Sequence, residues 1–111
     1  MMSAVDEVRQ LFEKLPKAFL PEKAGDLQAT IQIKLSGEGA SDWAIKIAEG
    51  TIAVNEGEAD SPEMTLYMDA ADYIALIRGE ANPMSLFAAG RVRLEGDMGL
   101  ALKFQQMFSR G

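Results

Sequence analysis

The chain has 111 residues, 48% of them hydrophobic and 25% charged, with a net charge of -6; this describes one domain able to bury a core of its own. The acidic balance argues against nucleic acid and anionic membrane surfaces, which attract basic patches. Cysteine and histidine are both absent. That removes disulfides, thiolate and imidazole metal ligands, a thiol nucleophile and the commonest general base near neutral pH.

No apolar run approaches the roughly 20 residues that span a bilayer, so no stable membrane insertion is expected. Residues 1–20 carry early acids and a broken apolar pattern, unlike a secretion signal, and the expected location is cytoplasmic.

Ser3 opens a helix, and Ser3 with Asp6 resembles a capping box. Ala4, Val5, Val8, Leu11, Phe12 and Leu15 then fall at helical spacing on one face. Pro16 is expected to end this helix or start a new turn. Lys17 to Leu20 reads as a short helical turn that Pro21 interrupts, with Phe19 and Leu20 pinned to the core.

A run of strands follows. Leu27 to Leu35 alternates apolar odd positions with polar even ones. Ser36-Gly37-Glu38-Gly39 is a turn. Trp43, Ile45 and Ile47 share one face of the second strand, and Glu49-Gly50 makes a hairpin turn to Ile52 and Val54 of the third. Met64, Leu66 and Met68 mark a fourth strand, and Val92 and Leu94 mark a fifth over residues 91–95. All five pair an apolar face with a polar one, so the sheet is covered on one side only.

Between the last two strands lie two helical pieces. Asp69 can cap Ala70 to Arg78, with Gly79 as the stop. Asn82-Pro83 starts a second piece carrying Met84, Leu86 and Phe87. After the fifth strand, Gly96-Asp97 turns the chain and Asp97 caps a closing helix. On that helix Met98, Leu100, Ala101, Leu102, Phe104, Met107 and Phe108 cover about 220° of the wheel, where a surface helix needs a stripe of little over 100°. One sheet face cannot cover so wide an arc. A second helix, a partner chain or an apolar ligand must do it. The fold class is α+β, with a five-stranded mixed, largely antiparallel sheet and helices covering one face, in a single domain over residues 1–111.

Reactive chemistry is hard to assemble from these residues. Glu56, Glu58, Asp60, Asp69, Asp72, Glu95 and Asp97 all fall in turns, caps or wet strand faces, where acids are solvated or capping. Residues 55–60 lack the spacing and closing Glu of an EF-hand. Gly90, Gly96 and Gly99 do not form a dinucleotide fingerprint. No catalytic residue, metal ligand or cofactor is expected.

The ordered set of motifs resembles the sterol carrier protein type-two domain family. The residues that carry the resemblance are Trp43-Ala44-Ile45-Lys46-Ile47 with Gly50, Thr65-Leu66 with Asp69 and Asp72, and Ile77-Arg78-Gly79-Glu80 with Asn82-Pro83. They continue through Phe87 to Asp97, with Ala101 and Phe104 beyond. The spacing G-x-x-x-x-x-G-D before the last helix is the most specific part. The resemblance implies non-enzymatic binding or transfer of an apolar lipid in a tunnel between sheet and helices. The ligand would be a fatty acid, a fatty acyl-CoA or a sterol-like molecule. By position it implies that Leu76, Ile77, Met84, Phe87, Met98, Leu102, Phe104 and Phe108 line the tunnel, joined by Phe12 from the first helix. Eukaryotic members often end in a peroxisomal Ser-Lys-Leu signal, whereas this chain ends Ser109-Arg110-Gly111. That departure favours a fatty acid or acyl-CoA over a sterol. Arg78, Arg91 and Arg93 are the only candidates to meet CoA phosphates. The alternative reading is a protein-interaction module, with a homodimer formed through the apolar closing helix.

Overall fold

A computed structural model describes residues 3–107, apart from the side chain of Gln105. The element order is α1 (Ala4–Ala18), α2 (Pro21–Ala24), β1 (Ala29–Ser36), β2 (Ser41–Ala48), β3 (Thr51–Glu56), β4 (Met64–Asp69), α3 (Ala70–Ile77), α4 (Pro83–Ala88), β5 (Val92–Gly96) and α5 (Met98–Gln106). The five strands form one sheet in the order β3-β2-β1-β4-β5. The β1–β4 pair is parallel and the other three pairs are antiparallel. The expected mixed α+β fold is therefore the observed one.

The period-two pattern explains how the sheet acquires its core. Register places Val54, Ile45, Ile31 and Met64 in one row across β3, β2, β1 and β4. Trp43, Ile33, Leu66 and Leu94 form the next, and Leu35, Met68 and Val92 the third. Ile31, Ile33, Ile45, Ile47 and Met64 are buried, and α1 adds Val8, Phe12 and Leu15. The Phe12 ring is stacked between Trp43 and Tyr73, with centroids 4.4 Å and 4.6 Å away. Such stacking adds to the large area that each aromatic ring already buries.

Several local expectations change. Pro16 lies inside α1, which continues to Ala18. A proline this late forfeits a main-chain bond near the helix end, and burial of Leu15 and Phe19 on either side holds the path. Pro21 does not interrupt a turn but opens α2 at its first position. The first strand begins at Ala29 rather than Leu27. The polar sheet face is not uniformly wet, because Gln32 is buried there. Its amide donates to the carbonyls of Trp43 (3.0 Å) and Gly57 (3.1 Å) and accepts from the Ala59 N–H (2.6 Å). These bonds fasten the loop after β3 to the sheet and satisfy the buried amide.

Two turns depend on the left-handed backbone region. Glu49 and Gly50 both have positive φ, the twist that suits a two-residue hairpin between β2 and β3. Gly96 has φ +102°, and a Cβ there would collide with the Glu63 carbonyl oxygen. The next residue, Asp97, donates its N–H to that same oxygen at 3.1 Å. The Gly-Asp pair thus lets β5 pass close to the chain entering β4 and then caps α5.

Candidate functional site

The last three helices are aimed by the strands and caps that precede them. Asp69 closes β4 and its carboxylate accepts from the Ala71 N–H at 2.8 Å, starting α3. Asn82 accepts from Met84 (2.8 Å) and Ser85 (3.3 Å) ahead of Pro83, starting α4. Asp97 accepts from Leu100 at 3.2 Å, starting α5. Each cap satisfies amides that a helix start leaves without partners. The inner faces are set by Ala70 and Tyr73 of α3, Leu86 of α4, and Leu100 with Met107 at the two ends of α5, all buried. The chain after α5 is held where the Leu20 N–H donates to the Met107 carbonyl at 2.6 Å.

The outer faces differ. Ile77, Met84, Phe87, Met98 and Leu102 are exposed, from 41% for Ile77 to 67% for Met84. Scattered exposed apolar residues are ordinary; these five large ones fall on three helices successive in the chain. The structure divides the nine residues expected to line a tunnel. These five stand in the open. Leu76 and Phe104 are half-buried, and Phe104 packs against the core cluster. Phe12 lies in the aromatic stack at the centre of the core, and Phe108 is outside the described residues. The best-formed hollows among the described residues are two open concavities of about 420 Å³ each. One is lined by Ser36, Tyr67, Asp69, Asp72, Arg91 and Arg93, the other by Ser3 to Val5 with Glu38 and Gly39. Neither touches the nine.

The first concavity is internally paired. Arg91 makes a two-pronged ion pair with Asp72, Nε to Oδ2 at 3.0 Å and Nη2 to Oδ1 at 2.9 Å. The hydrogen bonds that Arg91 donates to Asp72, then the charge of that carboxylate, raise the Arg91 pKa above its usual value. The Arg93 guanidinium lies 4.1 Å above the centre of the Tyr67 ring, and the Tyr67 hydroxyl donates to Glu95 at 2.7 Å. Arg78 donates to Glu7 of α1. Two of the three arginines considered for CoA phosphates therefore already hold carboxylates.

Two residues of consequence were not legible as such. Asp72, read as a solvated or capping acid, is buried and joins α3 to the start of β5 through Arg91. Tyr73 of α3 carries a buried hydroxyl that no described group bonds. Burial without compensation pushes its pKa up, so the phenol stays neutral. The ambiguity of tyrosine, an apolar ring with a polar tip, is the one signal that the sequence offered. Among the described residues no group of three or more acids is placed to hold a metal ion, and no helix is long and apolar enough to cross a membrane.

Comparison with known proteins follows the same geometry. The model of the SCP-2 sterol transfer family matches residues 8–109. Hydroxysteroid dehydrogenase-like protein 2 of Xenopus tropicalis is 28% identical over 104 residues, 93% of this chain but 25% of that protein. Sterol carrier protein 2 of Homo sapiens is 27% identical over 101 residues, 91% of this chain and 18% of that protein. The chain thus spans about a quarter or less of the length of these curated relatives. In structure, sterol carrier protein 2 from Aedes aegypti in complex with palmitate superposes with a TM-score of 0.69. It is 18% identical, and the match covers 99% of this chain and 98% of that one; at this identity the likeness shows the fold.

Proposed function

The chain belongs to the SCP-2 sterol transfer family, and from that premise we propose that it binds and releases an apolar lipid without altering it. The observation that carries the proposal is the open apolar set on α3, α4 and α5: Ile77, Met84, Phe87, Met98 and Leu102. The sheet core is filled by other residues, so this set is surplus to folding. The palmitate in complex with the Aedes aegypti relative supports a fatty acyl ligand.

A single-chain lipid laid along the set would have Leu76 and Phe104 at its margins. A chain that penetrates further would approach Phe12. Burying an acyl chain is worth about 0.8 kcal/mol per CH₂. The ordering costs of association reduce that sum, which places the affinity near micromolar or somewhat tighter. Enclosing the chain requires α5 to move relative to the sheet, the kind of lid motion that takes microseconds to milliseconds. The carboxylates that already hold Arg78 and Arg91 favour a fatty acyl chain or a sterol-like molecule over the polyanionic head of acyl-CoA.

The test is native mass spectrometry of the protein with palmitic acid, alongside displacement of a fluorescent acyl probe. A one-to-one adduct with displacement is expected. Absence of both overturns the carrier reading. The same exposed side chains also fit a second reading, a homodimer through the helix faces. Light scattering after size exclusion separates the two: a lipid-insensitive dimer that dissociates on Met98→Asp with Leu102→Asp selects the second.

A further inference from the structure

Tyr73 is 3% exposed, and its hydroxyl is the one buried side-chain polar atom among the described residues left without a partner. An uncompensated hydroxyl in a core costs stability, and phenylalanine would fill the same stacked position beside Phe12 without that cost. The other buried polar side chains among the described residues are Gln32 and Asp72. Gln32 is fully engaged by Trp43, Gly57 and Ala59, and Asp72 by both prongs of Arg91.

The place of the hydroxyl on α3 is also informative. Leu76 and Ile77 follow Tyr73 at i+3 and i+4, the positions stacked on the same helix side one turn away. Ile77 is exposed, Leu76 half-buried and Tyr73 buried. Burial therefore rises across this side of α3, from Ile77 in the open apolar set to Tyr73 one helical turn earlier.

We propose that the Tyr73 hydroxyl is the specificity-determining anchor of the lipid site, donating a hydrogen bond to an uncharged oxygen on the inward end of the bound lipid. The inference rests on the carrier reading above and names the ligand chemistry that the site selects. Among the described residues no arginine or lysine is buried, so a carboxylate driven to this depth would have no counter-charge from them. The phenol, kept neutral by burial, is a donor to a ketone or ester carbonyl or to an alcohol. The lipids favoured are therefore those that enter oxygen first and uncharged.

The experiment compares hexadecan-2-one, methyl hexadecanoate and 1-hexadecene, delivered from cyclodextrin, on the wild-type protein and on Tyr73→Phe. Wild type is expected to prefer the ketone and ester over the alkene. Tyr73→Phe is expected to lose about threefold to tenfold affinity for the two oxygenated lipids, the worth of one neutral hydrogen bond. Its affinity for the alkene is expected to be unchanged, and its ligand-free melting temperature higher. Equal affinity ratios in the two proteins, with binding retained, overturn the anchor and leave the carrier reading standing. Binding of none of the three lipids, nor of palmitic acid, by either protein overturns both. A Tyr73→Phe loss that is the same for all three lipids reports general damage to the site and also overturns the anchor.

Discussion

Phe12 and Phe87 are the same residue in two situations. Phe12 sits between two rings at the centre of the molecule, while Phe87 stands on α4 with nearly half of its surface in water. The first belongs to a region where α1, the sheet and α3 close on one another. The second belongs to helices whose inner faces are spoken for by Leu86, Leu100 and Met107 and whose outer faces, among the described residues, are exposed. What separates the regions is the number of elements that face each side chain. In the first, apolar area holds the fold together; in the second it is available to a guest.

The sharpest way to break this contrast is truncation in each region. Phe12→Ala should cost about 3–5 kcal/mol, the range for a large core aromatic, and chemical denaturation will read it. A smaller effect is expected at the junction of the regions. Arg91→Ala strips the buried Asp72 carboxylate of its two-pronged partner. Because the arginine is itself largely exposed, the loss should be smaller than that of Phe12→Ala, seen in the same denaturation curve. On the open helices, Met98→Ser and Leu102→Ser should each move stability by no more than about 0.5 kcal/mol. Each should nevertheless weaken palmitate binding about tenfold or more, because the transfer energy of a large apolar side chain is lost from the complex. A large destabilisation with unchanged lipid binding would reverse the assignment of the two regions.

Much of the first region was legible in the chain. The alternation in Ala29–Ser36, Ser41–Ala48 and Met64–Asp69 reports a sheet with one buried face, and register then sets the rows. Ser3, Asp69, Asn82 and Asp97 announced their helices because a short oxygen-bearing side chain is what a helix start requires. The second region was less legible. An arc of 220° on α5 predicted a surplus but not which part of it would stay outside. That depends on which sheet rows are still uncovered when the helix arrives. Pro16 was misread because local propensity lost to the burial of Leu15 and Phe19. Asp72 was misread because its partner lies across the fold on another element, a distance that spacing along the chain does not encode.

The smallest expected effect lies on the polar sheet face. Lys34 holds Glu58 at 2.9 Å, and its hydrogen bond, then its charge, lowers the Glu58 pKa below 4.5. The sign follows: a depressed carboxylate stabilises the fold fully above its unfolded value and ceases to do so as pH falls through the folded one. Titration by NMR should place the Glu58 midpoint below 4.5, and Lys34→Met should return it upward with little change in melting temperature at neutral pH.

The parallel ladder from Ile31 opposite Met64 to Ser36 opposite Asp69 has a kinetic consequence. On one side of it lies a meander of three consecutive strands, and on the other the pair β4–β5 with its intervening helices. Each half can be assembled from neighbours in the chain. Their seam joins segments more than thirty positions apart and has to wait for a long loop to close. Until it zips, the inner edges of both halves are unprotected hydrogen-bonding templates. Refolding should therefore be limited by that seam, and a crowded refolding mixture should lose protein to strand exchange at β1 before it loses any at the outer margins of the sheet.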